Sequence, residues 1–188
     1  MTTETTTDLL LWIDVETTGL DPTVGDLLEV GMILTTMQGD PIDATEHVIR
    51  HDPDIIKTAI DNDNTTAIAM HFRNQLLQES LLPDSQAASL AATANAINRK
   101  LDEWLTQGTL HPAGTNVDFD LQWLTLKLPY CTRLQDLNHR KLDLTTLRLA
   151  AIAQGRDPYR HGHDTIHHVH DCLSRDLNEY RYWLRDHE

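Results

Sequence analysis

The stretch Leu9–Pro22, "LLLWIDVETTGLDP", decides the reading of the chain. A near-continuous apolar run is the pattern of a strand buried on both faces, and the Gly, Pro and Asp that follow mark a loop. Side chains two apart on a strand share a face, so Asp14 and Glu16 project together from its end. A pair of acids on a strand also suits a solvated strand end, so the rest of the chain has to say what the pair is for.

Downstream, "LLEVGMILTTMQGDPI" and "DATEHVIRHD" predict two more strands about a turn at Gly39–Asp40, giving a three-strand meander. Residues 52–84 predict a loop followed by a short helix. From Ser85, the stripe Ala87, Leu90, Ala94, Ile97, Leu101, Trp104 and Leu105 predicts a helix that stops before Gly108. Then come a strand "TLHPAGTN", a helix "DFDLQWLTLKL", a strand "HRKLDL" and a helix "TTLRLAAIAQG" stopped at Gly155. A last helix from about Thr165 aligns Val169, Leu173, Leu177, Tyr180 and Leu184 on one face. Strands first, then alternating helix and strand, predict an α/β fold with a mixed sheet flanked by helices.

The 188 residues suit a single domain spanning 1–188, with 1–7 as a flexible tail. Two cysteines, Cys131 and Cys172, make neither a disulfide framework nor a paired-cysteine zinc motif, which suits a reducing cytoplasm. The N-terminus lacks a basic region before its apolar run, and no stretch reaches the length of a membrane span. The formal net charge of −14, from 15 Lys and Arg against 29 Asp and Glu, opposes tight binding of long duplexes. A short substrate held through metal cations escapes that objection.

Two more features join the first acid pair. "GTNVDFDLQWL", Gly114–Leu124, places Asp118 and Asp120 at a strand-to-helix turn. Asp118 suits the N-cap, leaving Asp120 in the first turn and the more available for a ligand. "HGHDTIHHVHDCLSRD", His161–Asp176, feeds the last helix, where His167 and Asp171 stand four apart on one face. Carboxylates are ligands for Mg²⁺ or Mn²⁺, two such ions can serve an in-line phosphoryl displacement, and a near-neutral histidine can take the proton of the attacking water. The order of these residues therefore suggests metal-dependent phosphodiester hydrolysis.

In "DVETTGLDP", "NVDFDLQWL" and "HHVHD" the sequence resembles the DEDDh 3′-to-5′ exonucleases. Within that family it is most similar to the oligoribonucleases, in "WIDVETTGLDP", "HFRNQLL" (His71–Leu77), "LDLTTLRL" (Leu142–Leu149) and "NEYRYW" (Asn178–Trp183). The resemblance implies a ribonuclease H-like fold and hydrolysis of short RNA from the 3′ end to 5′-mononucleotides with two Mg²⁺ or Mn²⁺ ions. It implies metal binding by Asp14, Glu16, Asp120 and Asp171, with His167 as general base. Leu20 would wedge against the terminal base, Thr17 would line the substrate site, and a homodimer would bring Arg140 to the partner's substrate phosphate. His139 stands where the oligoribonucleases carry an aromatic residue.

One departure concerns the third motif. The family places four residues between histidine and aspartate, whereas His167 and Asp171 are separated by three and Cys172 occupies the next position. Readings left open are an exonuclease on single-stranded DNA, a nucleic-acid-binding module with a degenerate site, an HD-type phosphohydrolase using His170–Asp171, and a zinc site of His161, His163, His167 and His170.

Overall fold

The computed structural model describes residues 7–83, 86–160 and 162–185. Ser85, where the sequence predicts the helix through Ala87 and Leu105 to begin, and His161 lie outside them, as does most of the expected tail at 1–7. β1 (Asp8–Thr17), β2 (Leu27–Thr36) and β3 (Pro41–Val48) form the expected antiparallel meander. β4 (Thr109–Gly114) adds in parallel to the other side of β1, and the two-residue β5 (Leu142–Asp143) pairs in parallel with β4. The strand order is β3-β2-β1-β4-β5, an α/β fold with a mixed sheet.

The central position of β1 explains its sequence, because both of its faces are covered. Leu9, Leu11, Ile13 and Val15 pack with helices α4 (Leu90–Leu105) and α5 (Val117–Lys127), through residues such as Ile97, Trp104 and Trp123. Leu10 and Trp12 point the other way, onto α6 (Leu144–Ala153) and α7 (Val169–Arg185), where Val169, Leu173, Leu177 and Tyr180 meet them. Asp14 and Glu16 continue this second face by strand parity, so it turns from apolar to acidic at the end of β1.

α7 reaches that acidic end because Gly31 lies opposite Asp14 on β2. A Cβ at Gly31 would fall 2.8 Å from Val169 Cβ and 2.8 Å from Leu173 Cδ1, so the helix start rests on bare backbone. Farther along, Tyr180 donates its hydroxyl to the Met37 carbonyl and stacks obliquely on Trp12.

Residues 52–84 differ from the expected loop and short helix. They hold three short helices, α1 (Asp54–Asp61), α2 (Thr65–Arg73) and α3 (Leu76–Leu81), whose Ile55, Leu76 and Leu77 pack on Leu28. Each is too short to show a sustained periodic stripe, so tertiary packing rather than local pattern fixes them. The strand expected from "HRKLDL" is reduced to Leu142–Asp143, and the last helix begins at Val169 rather than near Thr165. The N-cap of α5 is Asn116, in left-handed conformation, so Asp118 moves into the first turn and pairs with Lys141.

Candidate active site

Three carboxylates lie near enough to repel one another at the C-terminal ends of β1 and β4. Asp14 and Glu16 come from β1, and a register shift between Glu16 and Thr17 ends its regular pairing there. Asp120 enters from the first turn of α5, where its buried Oδ1 accepts the Val15 N–H at 3.0 Å. This tie fixes the start of α5 to the end of β1, and it explains why a first-turn acid is buried instead of solvated.

The electrostatics are those of crowded, buried acids. Burial lifts Asp14 well above the usual carboxylate range, and repulsion from Asp120, Glu16 and Asp176 adds to it while Arg175 opposes it. Burial likewise raises Glu16 from 4.5 to about 7, helped by Glu29, its cross-strand neighbour. Asp120 is raised by burial against the Val15 N–H, with Asp176 and Glu16 repelling it further. Asp14 Oδ2 is buried with no hydrogen-bond partner among the described residues. Hard oxygen donors that repel one another around an unpaired buried oxygen fit a divalent cation such as Mg²⁺ or Mn²⁺.

His167 stands at the mouth of this cluster. It is exposed, its φ is +59°, and its preceding and own carbonyls accept from Asn74 Nδ2 at 3.0 and 2.5 Å. Its neighbour His168 bridges the Asn74 carbonyl, at 2.9 Å, and Glu29, at 3.3 Å, while Glu29 also accepts the Val169 N–H that opens α7. Desolvation and then Arg175 lower the His167 pKa, which keeps the imidazole neutral and able to accept a proton.

The start of α7 corrects the fourth carboxylate. Asp171 does not join Asp14, Glu16 and Asp120; it lines the groove on the other side of Glu29 and His168, with Glu46, His47 and His170. One residue turns a helical side chain by about 100°, and the stripe through Val169, Leu173 and Leu177 fixes the rotation. Cys172 takes the inward position, and its thiol donates to Glu16 Oε1 at 3.6 Å.

Sequence reasoning missed several residues that shape the site. Asp176, one turn beyond Cys172, is buried and acts on both Asp14 and Asp120. Arg175 holds it through Nε at 2.8 Å and Nη2 at 2.7 Å. The missed signal was an acid on the same apolar stripe as Val169, Leu173 and Leu177. His71 lies fully buried beneath Glu16, with Nε2 3.0 Å from the Thr17 carbonyl and 3.6 Å from Glu16 Oε2. Desolvation lowers its pKa to about 4, so it stays neutral.

The other expected substrate residues lie around this centre or away from it. Leu20 is 85% exposed on the loop that leaves β1. Thr17 is buried, and its hydroxyl donates to the Gly19 carbonyl. Arg140 and His139 are exposed; Arg140 lines a groove with Asp8 and His111 at the opposite end of β1.

The same fold recurs in solved structures. The zinc-bound form of an E. coli exonuclease I complex with single-stranded DNA superposes with a TM-score of 0.67 at 12% identity, over 97% of this chain. A complex of E. coli exonuclease I with a dT13 oligonucleotide gives 0.63 at 13% identity, over 93%. The chain spans about two fifths of those proteins, 41% and 40% of their lengths. The fold is therefore the ribonuclease H-like α/β fold of exonuclease I.

Curated relatives narrow the class. The oligoribonuclease of Coxiella burnetii is 28% identical over 77% of this chain and 74% of its own. That of Pseudomonas aeruginosa strain PAO1 is 28% identical over 95% and 94%, and that of Azoarcus sp. 25% identical over 92% of each. No family model matches the chain. The chain is thus similar to oligoribonucleases over most of its length, and these relatives indicate a nuclease that hydrolyses phosphodiester bonds.

Proposed function

We propose that this protein is a cytoplasmic 3′-to-5′ exoribonuclease of the oligoribonuclease kind, acting on short RNA to release 5′-mononucleotides. The observation that carries the reading is the convergence of Asp14, Glu16 and Asp120 around the unpaired Asp14 Oδ2, with neutral His167 at the mouth. Likeness to oligoribonucleases over most of the chain supports the choice of substrate. The net charge of −14 supports a substrate with few phosphates to neutralise. Among the described residues, no helix is long and apolar enough to cross a membrane.

Asp14, Glu16 and Asp120 would hold two Mg²⁺ or Mn²⁺ ions, which when bound would neutralise the phosphoryl oxygens and lower the pKa of the attacking water. His167 accepts the proton of that water at its free ring nitrogen. His71 positions Glu16 from beneath, and the Val15 N–H orients Asp120. Leu20, exposed on the loop leaving β1, packs against the terminal base, and Thr17 holds that loop through Gly19. In a homodimer, Arg140 and His139 serve the partner's substrate, consistent with their distance from the carboxylates of their own chain.

The test is a time course with Mn²⁺ on a labelled RNA dinucleotide, an RNA of about twenty nucleotides and the matching single-stranded DNA, with Asp14→Ala in parallel. Fastest loss of the dinucleotide, abolished by Asp14→Ala, supports the proposal. Preference for the long DNA would favour the second reading, a single-stranded DNA exonuclease, which the fold shared with exonuclease I–DNA complexes supports.

A further inference from the structure

Cys172 brings a thiol to the carboxylate centre, beside Glu16. Among the described residues, Glu16, His167 and Cys172 each offer one ligand atom, and those atoms lie within 4.8 Å of one another. A carboxylate oxygen, an imidazole nitrogen and a thiol sulfur form a borderline-soft set, whereas Mg²⁺ prefers oxygen alone. In a tetrahedral zinc site, oxygen and sulfur ligands at their usual bond lengths stand about 3.5 Å apart. Glu16 Oε1 and Cys172 Sγ stand at 3.6 Å.

We propose that Glu16, His167 and Cys172 form a site for a thiophilic divalent cation, Zn²⁺ in the first instance, with a fourth position open to water or a phosphate oxygen. The site overlaps the carboxylate centre through Glu16 but differs from it in donor chemistry.

The local architecture suits such an ion. Three ligands from two elements converge without rearrangement of the sheet: Glu16 from β1, Cys172 from the first turn of α7, and His167 from the residues just before it. Glu29 and Asn74 hold that helix start in place. His167 is exposed, which gives the ion a way in, while Glu16 and Cys172 are buried, which protects the bond once made. The charge balance also favours a cation, because Asp14, Asp120 and Asp176 lie nearby and Arg175 is engaged with Asp176. On binding, a metal–sulfur bond replaces the Cys172 S–H bond and the proton passes to solvent. An ion there also occupies His167; this consequence for hydrolysis rests on the proposed function, whereas the binding itself does not.

Metal-stripped protein titrated with Co²⁺ tests the site directly through the thiolate-to-cobalt charge-transfer band in the near ultraviolet. The expected result is one thiolate-bound Co²⁺ per chain, counted from that band, its displacement by Zn²⁺, and its loss in both Cys172→Ser and His167→Ala. Cys131→Ser should keep it, since Cys131 is buried in the core between the sheet and helices α4 and α5. Circular dichroism establishes that each variant is folded. No band in wild type, or a band that survives in Cys172→Ser, overturns the proposal. A band in protein that hydrolyses none of the three oligonucleotides supports the metal site while overturning the nuclease assignment of substrate.

Discussion

The Cys172 thiol donates to Glu16 Oε1 across 3.6 Å, at the place on α7 where the sequence motif leads one to expect a carboxylate. Asp171, the adjacent acid, faces the groove of Glu46 and His170 instead. Asp171→Ala is therefore expected to change dinucleotide hydrolysis by less than about threefold, under 1 kcal/mol in transition-state stabilisation. Asp14→Asn should abolish it. Comparing kcat/KM for the two variants in Mn²⁺ checks the rotation of α7.

The raised Glu16 carboxyl makes a prediction about pH. Its folded-state value of about 7 lies above the ordinary 4.5, so its contribution to stability is complete below about 4.5 and is lost as pH rises through about 7. His71 acts with the opposite sign, because its depressed value of about 4 withdraws stability as pH falls from 6.5 through that value. The difference between wild type and Glu16→Gln cancels the His71 part. In metal-free protein, Glu16→Gln should gain on wild type by on the order of 3 kcal/mol as pH rises from 4 to 8, read from urea unfolding at each pH. Added Mn²⁺ should shrink or reverse the gain, since the ion stabilises the ionised carboxylate.

Gly31→Ala should damage both packing and catalysis. The new methyl would meet Val169 Cβ at 2.8 Å, a backbone-anchored atom that cannot swing away. Overpacking of this kind costs about 1–3 kcal/mol, and relief by moving α7 would displace Cys172 and the His167 turn from Glu16. A lowered melting temperature together with reduced kcat is the expected pair of results.

Arg175→Ala should destabilise the fold more than an exposed ion pair would. Asp176 is 2% exposed, and without Arg175 its nearest remaining guanidinium is Arg148, at 3.9 Å and already paired with Glu179. Stranding a buried carboxylate costs about 3 kcal/mol, read as a lower urea midpoint at neutral pH. The double variant Arg175→Ala with Asp176→Asn should recover much of that loss, because it removes the orphaned charge as well as its partner.

What the sequence by itself determined was whatever depends on near neighbours in the chain. Strand parity put Asp14 and Glu16 on one face, the turn at Gly39–Asp40 closed the meander, and Asp120 fell in the first turn of its helix. The apolar stripe of α7 was equally legible, and it already held Cys172 and Asp176 on the buried side. Tertiary structure alone decided how that helix is seated. Its start is fixed by bare backbone at Gly31, by Glu29 on the Val169 N–H and by Asn74 on the His167 carbonyl, all far away in sequence. A helix turns by about 100° per residue, so the stripe turns Cys172 rather than Asp171 inward, and those distant contacts decide that this inward face meets Glu16 at the end of β1.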